Sequence, residues 1–324
     1  METKATNTTD DLGHLIFDPV NFRIDTPPIK ALKKEIIKLV WTNALGAAVI
    51  GFSQAGKSVA ITQLDGCIKD RNGGIIPIEV YSVHRRDRNT ILALYYNIGN
   101  YLGLPVANSR DVERMSGQIL SYFAEMAWNN KTNKVILFVD EAQRLKINQL
   151  DLFAELQDKL KIMYGVLLII VYVGNKEQLS TLLNKISRGE NQHLEGRYFL
   201  RSIEFHGLKN AREVAACLKQ YDNMCDPKTG LRLTEYFLEE EFNKGFRLEN
   251  ISNIMWGVFK DYKKQYKLNS WGMGNFICSV NLLLTDYLPR FPHDDSGEQI
   301  RQMVIKSIMA CKLGSDLVRV VKEK

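Results

Sequence analysis

The amino-acid sequence predicts an α/β fold, in which a parallel β-sheet is flanked by helices and followed by a smaller, all-α part. Three observations support this. A short apolar run over residues 47–50 leads into a glycine-rich loop and then into a helical pattern. Continuous apolar runs over residues 134–139 and 166–173 are typical of parallel strands buried on both faces. Beyond Asn210 the apolar residues recur at helical spacing, and no further strand pattern follows.

The periodicity of apolar residues predicts the individual elements in order. Helices are expected over residues 29–41, from residue 59, and over 90–102, 111–128, 147–163 and 176–186. Strands are expected over 47–50, 75–81, 134–139 and 166–173, and again just before Phe205. In the last part, helices are expected over 214–221, 235–242, 251–262, 275–287 and 298–310. Strands and helices therefore alternate only in the first two thirds of the chain.

Length and composition set the number of domains. The chain has 324 residues, of which 45% are hydrophobic and 25% charged, enough for one large domain and a smaller one. We expect a flexible lead over residues 1–20, an α/β core over 21–208, and a helical lid with a C-terminal extension over 209–324. The net charge of +6 is mild, so local clusters of charge are more informative than the total.

Several classes of protein are not indicated. No apolar run approaches the length of a membrane span, and the N-terminus lacks the basic start and apolar middle of a signal peptide. Five cysteines, an odd number without C-x-x-C spacing, indicate neither a disulfide framework nor a zinc site. We therefore expect a soluble, cytoplasmic protein without a membrane partner.

The glycine-rich loop matches the pattern G-x-x-x-x-G-K-[ST], placed between a strand and a helix as that pattern requires. Glycines let backbone N–H groups turn towards phosphate oxygens, and the helix N-terminus adds a partial positive charge. Lys57 would reach the β- and γ-phosphates, and Ser58 would bind Mg²⁺. The nucleotide-binding residues expected in this loop are Gly51, Ser53, Gln54, Ala55, Gly56, Lys57, Ser58 and Val59.

The apolar run over residues 134–139 ends in two carboxylates, Asp140 and Glu141, which is the Walker B pattern. Asp140 would hold Mg²⁺, directly or in its second coordination shell. Glu141 would polarise the attacking water as the general base. This glutamate predicts hydrolysis of the nucleotide as well as binding.

Asn175, Arg197 and Arg247 are further candidates around the nucleotide. Asn175 follows the strand over 166–173 and would sense the γ-phosphate, or else cap the next helix, and the two roles are compatible. Arg197 would act on the nucleotide of a neighbouring subunit, although a surface salt bridge is the alternative. Arg188 and Arg201 are weaker candidates for the same role. Arg247 would close onto the nucleotide from the helical part.

A basic cluster follows the strand over residues 75–81 and contains Arg85, Arg86 and Arg88. Ligands gather at the carboxyl ends of parallel strands, which places this cluster at the functional edge of the sheet. The cluster would contact the phosphates of DNA, with each arginine neutralising one phosphate. A solvated loop without a ligand is the alternative.

Together these residues resemble the AAA+ ATPases, and within them the TnsC/TniB transposition regulators. The residues that carry the resemblance to the regulators lie in segments 50–58, 137–143 and 173–178. The resemblance implies an ATP- and Mg²⁺-dependent ATPase that oligomerises as a ring or filament around double-stranded DNA. It also implies a transposase and a target-selector protein as partners, with hydrolysis driving disassembly.

Two other functions stay open at this point. The first is a nucleotide-gated protein-interaction module that does not bind DNA. The second is an AAA+ ATPase of the replication-initiator or loader type, which would share the same core. No strands that would form a winged helix follow the helical part, which favours the transposition regulator over the initiator.

Overall fold

The computed structural model describes residues 14–18, 20–85, 90–106, 111–187, 191–290 and 297–311. The chain divides into two compact units. One is Ala31–Phe205, and the other combines Met1–Lys30 with His206–Lys324. Residues 21–30, assigned from sequence to the α/β core, thus group with the helical unit. The predicted lead over residues 1–20 lies mostly outside the described residues.

The unit Ala31–Phe205 is built on a five-stranded sheet. Its strands are β1 (Gly46–Gly51), β2 (Ile78–Ser82), β3 (Lys134–Asp140), β4 (Leu167–Asn175) and β5 (Ser202–Glu204). Their order across the sheet is β2-β3-β4-β1-β5, and every neighbouring pair is parallel. The interior positions of β3 and β4 are buried, as their continuous apolar sequences predict. The parallel sheet predicted from the sequence is confirmed.

Helices join these strands and flank the sheet. They are α1 (Pro27–Trp41), α2 (Lys57–Thr62), α3 (Ile91–Tyr101), α4 (Val112–Asn129), α5 (Ile147–Tyr164), α6 (Lys176–Ser187) and α7 (Gln192–Leu194), and a π-helical turn, Glu195–Phe199, follows α7. Side-chain caps fix two of the starts: Thr90 accepts from the Ala93 N–H, and Asp111 accepts from the Arg114 N–H. Gly165, with φ 66°, ends α5 in the left-handed conformation that glycine tolerates.

The second unit is helical and has a core of its own. It contains α8 (Ala211–Asn223), α9 (Leu233–Phe237), α10 (Glu239–Asn243), α11 (Ser252–Gln265), α12 (Met273–Leu282) and α13 (Glu298–Ala310), with 3₁₀ turns at Leu15–Phe17 and Leu248–Ile251 and a π-helical turn at Leu283–Tyr287. Phe259 and Trp271 stack in the core, with ring centroids 4.6 Å apart. In the described part of this unit, β-pairing is limited to isolated bridges.

Two buried carboxylates hold the irregular segments of the helical unit. Asp222 accepts hydrogen bonds from the Thr234 hydroxyl and from the N–H groups of Leu248 and Glu249. Asp226 accepts from the N–H of Leu15 at 2.8 Å, which ties the 3₁₀ turn Leu15–Phe17 to this unit. Across the ranges described, none of the helices combines the length and the apolar character needed to cross a membrane.

Candidate functional site

The carboxyl ends of the central strands meet at one edge of the sheet. In the parallel register, Gly51 at the end of β1 lies opposite Asn175 at the end of β4. On the other side, Ser82 at the end of β2 lies opposite Asp140 at the end of β3. The strand order changes direction around β1, which is where open α/β sheets bind their ligands. The predicted loop, Walker B carboxylates and Asn175 therefore share one edge.

The loop after β1 has the backbone geometry that a phosphate-binding loop needs. Gly56 precedes α2 with φ 96°, and Gln54 has φ 60°, so both residues adopt left-handed conformations. Such turns let successive N–H groups converge on an anion. At Gly51, an added Cβ would lie only 2.2 Å from the carbonyl oxygen of Phe205, so no larger residue fits. Ala55 is buried, whereas Ser53, Gln54 and Val59 are exposed.

The ammonium group of Lys57 lies against the loop itself. Its Nζ donates to the carbonyl oxygens of Gly51 and Phe52, at 3.1 and 2.7 Å. Burial lowers the pKa of Lys57, while attraction by Asp140 and Glu141 opposes that shift. Within the described ranges, no carboxylate lies at ion-pair distance from this ammonium. Its positive charge is therefore available to an anionic ligand held by the loop.

Ser58 and Asp140 bring two oxygen atoms together beside the loop. The Ser58 hydroxyl donates to Oδ2 of Asp140 at 2.6 Å, and Asp140 is 6% exposed. Hydroxyl and carboxylate oxygens are ligands that Mg²⁺ prefers, and Mg²⁺ in phosphate-transferring sites takes few protein ligands. Among the described residues, no cluster of three or more His, Cys, Asp or Glu side chains suited to a metal occurs. The donor set fits a magnesium ion shared with nucleotide phosphates.

The carboxylate of Glu141 is held by two neighbours to which the sequence interpretation gave no role at the site. Its Oε2 accepts from Nε2 of Gln143 at 3.0 Å and from Nη2 of Arg144 at 2.8 Å. We refer to Gln143 and Arg144 as the carboxylate clamp. Glu141 itself has φ 57°, so the chain turns sharply at the strand end and brings both side chains back.

The carboxylate clamp also reaches the strands on both sides of β3. Oε1 of Gln143 accepts from the backbone N–H of Asn175, at the end of β4, at 3.3 Å. Nη1 of Arg144 donates to the carbonyl of Val83, just beyond β2, at 2.8 Å. The i,i+3 spacing of Glu141 and Arg144 was a signal that could have identified the ion pair. Nothing in the sequence indicated the contact of Gln143 with Asn175.

Asn175 caps the helix that follows it. Its Oδ1 accepts from the N–H of Glu177 at 3.0 Å, at the start of α6. This bond engages the amide oxygen and leaves the NH₂ group as the part of the side chain that can donate to a phosphate. Next to it, Lys176 pairs with Glu204 at 2.8 Å and lies 5.8 Å from the ring centroid of Phe52.

Arg197 lies in the π-helical turn and forms an ion pair within its own subunit. Its Nη1 and Nη2 donate to the two carboxylate oxygens of Asp158, at 3.0 and 2.8 Å. This pairing raises the pKa of Arg197, which stays charged. The turn is anchored by Tyr198, whose buried hydroxyl donates to Oε1 of Gln157 at 2.6 Å. Of the weaker candidates, Arg201 is exposed and Arg188 lies outside the described residues.

Two other groups of predicted residues are the arginines of the basic cluster and Arg247. Arg85 is exposed and follows β2 by three residues, whereas Arg86 and Arg88 lie outside the described residues. Arg247 belongs to the helical unit, where its Nη1 donates to the carbonyls of Phe242 and Phe246 at 2.8 and 2.6 Å. Its guanidinium carbon is 3.5 Å from the ring centroid of Phe242, a cation–π contact. The roles expected for these arginines stay predictions.

Comparisons with known proteins agree with this architecture. Residues 42–183 match the sequence profile of a family described as an AAA domain. No curated protein matches the chain in sequence. Among solved structures, the chain is similar to the ORC2 protein of Aeropyrum pernix in its ADPNP–ADP complexes. The TM-score is 0.54 at 12% identity, covering 90% of this chain and 71% of that one.

A second similar structure is the ORC of Drosophila bound to DNA. The TM-score is 0.54 at 13% identity, covering 88% of this chain and 67% of that one. At such identities the similarity concerns the fold alone. Together with the match to the AAA domain, it confirms the predicted AAA+ P-loop fold with a helical C-terminal region. This fold is one that binds nucleotides.

Proposed function

We propose that the chain is a Mg²⁺-dependent ATPase that assembles on double-stranded DNA and is released from it by hydrolysis. The observation that carries the ATPase part of this proposal is the contact of Ser58 with Asp140, 2.6 Å from hydroxyl to carboxylate, directly beside Glu141. A metal-binding oxygen pair and a carboxylate base thereby lie at the edge where the P-loop ends. A loop that only binds nucleotide has no need of that base.

In this proposal each side chain has one task. Lys57 neutralises charge on the β- and γ-phosphates, and Asn175 donates its amide to the γ-phosphate. Ser58 and Asp140 would hold Mg²⁺, which would supply electrostatic stabilisation of the phosphoryl group. Glu141 accepts a proton from the attacking water. Gln143 and Arg144 orient the carboxylate of Glu141.

Replacement of Glu141 by glutamine tests the hydrolytic part. Loss of a general base typically costs 10²–10⁴-fold in rate, so Glu141→Gln should lower ATP turnover by at least about a hundredfold. Nucleotide affinity should stay close to the wild-type value because Lys57, Ser58 and the loop are unchanged. Glu240→Gln, an exposed glutamate of the helical unit, is the matched control and should behave as wild type. Wild-type turnover in Glu141→Gln would contradict the assignment.

The DNA-binding part rests on the basic cluster after β2. Arg85 lies exposed just beyond the strand end that Arg144 contacts, and Arg86 and Arg88 follow in sequence. Each phosphate contact contributes about 0.9 to the slope of log affinity against log salt concentration. Substitution of the three arginines by alanine should therefore reduce that slope by about 2.7 and weaken duplex binding.

The same three substitutions also test the alternative function, a nucleotide-gated protein-interaction module that does not bind DNA. Arg114→Ala, an exposed arginine on α4, is the control and should leave the slope unchanged. If the triple variant binds duplex DNA with the wild-type slope, the basic cluster is not the DNA contact. If the wild-type protein shows no salt-dependent duplex binding at all, a nucleotide-gated protein-interaction module becomes the better account.

We further propose that the assembly is a homo-oligomeric ring or filament that links a target-selector protein to a transposase. The resemblance to TnsC/TniB regulators in segments 50–58, 137–143 and 173–178 supports this. Strand transfer by the cognate transposase should then require this protein, DNA and ATP together. A replication initiator or loader is the second candidate, favoured by the fold similarity to ORC proteins, and it would leave strand transfer unaffected.

Electron microscopy with duplex DNA and a slowly hydrolysed ATP analogue tests the assembly itself. Rings or filaments on DNA support the proposal, and monomers under these conditions contradict it.

Arg247 is proposed to close onto the nucleotide, so Arg247→Ala should weaken ATP binding without affecting DNA binding in the absence of nucleotide.

A further inference from the structure

Two cysteine thiols face each other in the helical unit. Cys278 lies on α12, and Cys311 follows the last residue of α13. Their sulfur atoms are 2.7 Å apart, with the Cys311 thiol donating to Sγ of Cys278. This separation is shorter than the van der Waals contact of two sulfur atoms. Only a small movement separates the two thiols from the geometry of a covalent S–S bond.

The other cysteines differ from this pair. Cys217 is buried, and burial raises the pKa of its thiol to about 12, so it is unreactive. Cys67 and Cys225 are exposed, and the Cys225 thiol lies 4.0 Å from the carbonyl of Asn223. Of the five, Cys278 and Cys311 are the two whose sulfur atoms contact each other. The absence of C-x-x-C spacing hid this pair in the sequence, because the two residues are 33 positions apart.

We infer that Cys278 and Cys311 are a modification site, a dithiol that closes to an intramolecular disulfide by exchange with a small-molecule disulfide such as oxidised glutathione. The observation is the direct thiol–thiol contact between the two helices. Neither cysteine is among the residues proposed for the nucleotide site.

The exchange proceeds in two balanced steps. Cys278 is exposed and attacks as its thiolate, forming a mixed disulfide with one glutathione and displacing the other as a thiolate. Cys311 then loses its proton to solvent and attacks Sγ of Cys278, displacing the second glutathione. Two protein thiols and one glutathione disulfide thus become one protein disulfide and two glutathione thiols. Burial and the contact with Cys278 raise the pKa of Cys311 to about 12, so Cys278 acts first.

The disulfide would fasten the end of α13 to α12. The inner face of α13 is buried in the core of the unit through Met303, Val304 and Ile308. A bond at the end of this helix opposes its separation from α12. Because it closes a loop of 33 steps along the chain, it also restricts the unfolded state. Oxidation should therefore stabilise the helical unit and slow the opening of α13.

The test compares the full chain after incubation with excess oxidised glutathione and after reduction. We expect a monomeric product that has lost the mass of two hydrogen atoms, with a proteolytic fragment linking Cys278 to Cys311. The melting temperature of the oxidised chain should rise by on the order of 5 °C, and reductant should reverse the rise. Hydrogen exchange along α13 should slow at the same time.

Two variants complete the test. Cys278→Ser should abolish both the linked fragment and the thermal shift, whereas Cys225→Ser, a matched exposed cysteine, should retain both. Peptide mapping of the unaltered chain does not depend on how the variants fold. If oxidation leaves both thiols free, adds glutathione separately to each, or links two chains instead, the proposal is wrong.

Discussion

Replacement of Gly174 by alanine should slow ATP hydrolysis without changing the affinity for nucleotide. Gly174 is the next-to-last residue of β4, and its backbone does not adopt a left-handed conformation, so alanine imposes no backbone strain. The added Cβ would lie 2.6 Å from Oε1 of Gln143 and 3.4 Å or more from Leu179. Only the amide of Gln143 therefore has to move.

The size of the effect follows from the bonds that this amide makes. To reach an ordinary van der Waals distance from the added Cβ, Oε1 of Gln143 has to move away by about 1 Å. The bond that it accepts from the Asn175 N–H is already 3.3 Å long, and further movement breaks it. The same movement shifts Nε2 away from Glu141, where a bond to a charged group contributes roughly 1.5–3 kcal/mol. If about 1.4 kcal/mol of the contribution of this hydrogen bond is lost at the transition state, kcat falls about tenfold.

The measurement is steady-state ATP turnover together with nucleotide titration. Gly174→Ala should reduce kcat about tenfold and leave the nucleotide dissociation constant within about twofold. Gly117→Ala is the matched control, because a Cβ at Gly117 on α4 has no neighbour within 4 Å. It should hydrolyse ATP at the wild-type rate. A melting curve for each variant shows whether the unit is folded.

A double-mutant cycle decides whether the effect passes through Gln143. Gln143→Ala should itself lower kcat about tenfold, and adding Gly174→Ala should lower it no further, because the clashing group is gone. If the effects of the two substitutions on kcat combine independently, or if Gly174→Ala hydrolyses ATP as fast as wild type, the carboxylate clamp does not orient Glu141.

Three further outcomes are expected. Gln157→Leu should lower the free energy of unfolding in urea by about 3 kcal/mol, because this buried side chain loses three hydrogen bonds; their partners are the carbonyls of Leu45 and Leu168 and the hydroxyl of Tyr198. Lys57→Ala should abolish the rise in melting temperature that ATP and Mg²⁺ give the wild type, and a retained rise would place the nucleotide elsewhere. Arg197→Ala should cost about 1 kcal/mol or less in stability, since its pair with Asp158 is partly exposed. It should nevertheless lower turnover of the assembled protein at least about a hundredfold, with partial recovery on mixing with Lys57→Ala; no recovery would count against action between subunits.

The sequence allowed the sheet to be predicted because its central strands β1, β3 and β4 are buried on both faces. The apolar runs that end at Ile50, Asp140 and Val173 correspond to β1, β3 and β4. The order of the strands could not be predicted, since it depends on which strands pair across the sheet. In the helical unit, one helix was expected over residues 235–242. The structure has two, because Leu238 interrupts them with φ −135° and ψ 50°.

The features of the candidate site also fall into those that the sequence predicted and those that it did not. The loop from Gly51 to Ser58 is a local pattern, and its spacing alone indicated a phosphate site. Gln143 lies in segment 137–143, which carries part of the resemblance to the transposition regulators. Its contact with Asn175 nevertheless depends on β4 lying beside β3 in the sheet. The pairing of Arg197 with Asp158 joins residues 39 positions apart, which no periodicity predicts. Local chemistry could therefore be read from the sequence, whereas partners that are distant along the chain could not.

The contacts of Glu141 explain why a change on β4 should alter catalysis at the end of β3. Its carboxylate receives one donor from Gln143, which is fixed by the end of β4, and one from Arg144, which is fixed by the carbonyl just beyond β2. Both side chains belong to the turn that directly follows β3, yet each also forms a hydrogen bond to a backbone group at the end of a neighbouring strand. The orientation of this carboxylate therefore depends on hydrogen bonds made where β2 and β4 run into their loops. One of those loops continues from Val83 into the basic cluster at Arg85. We therefore expect a ligand that displaces Val83 to disturb the Glu141 carboxylate through the guanidinium group of Arg144.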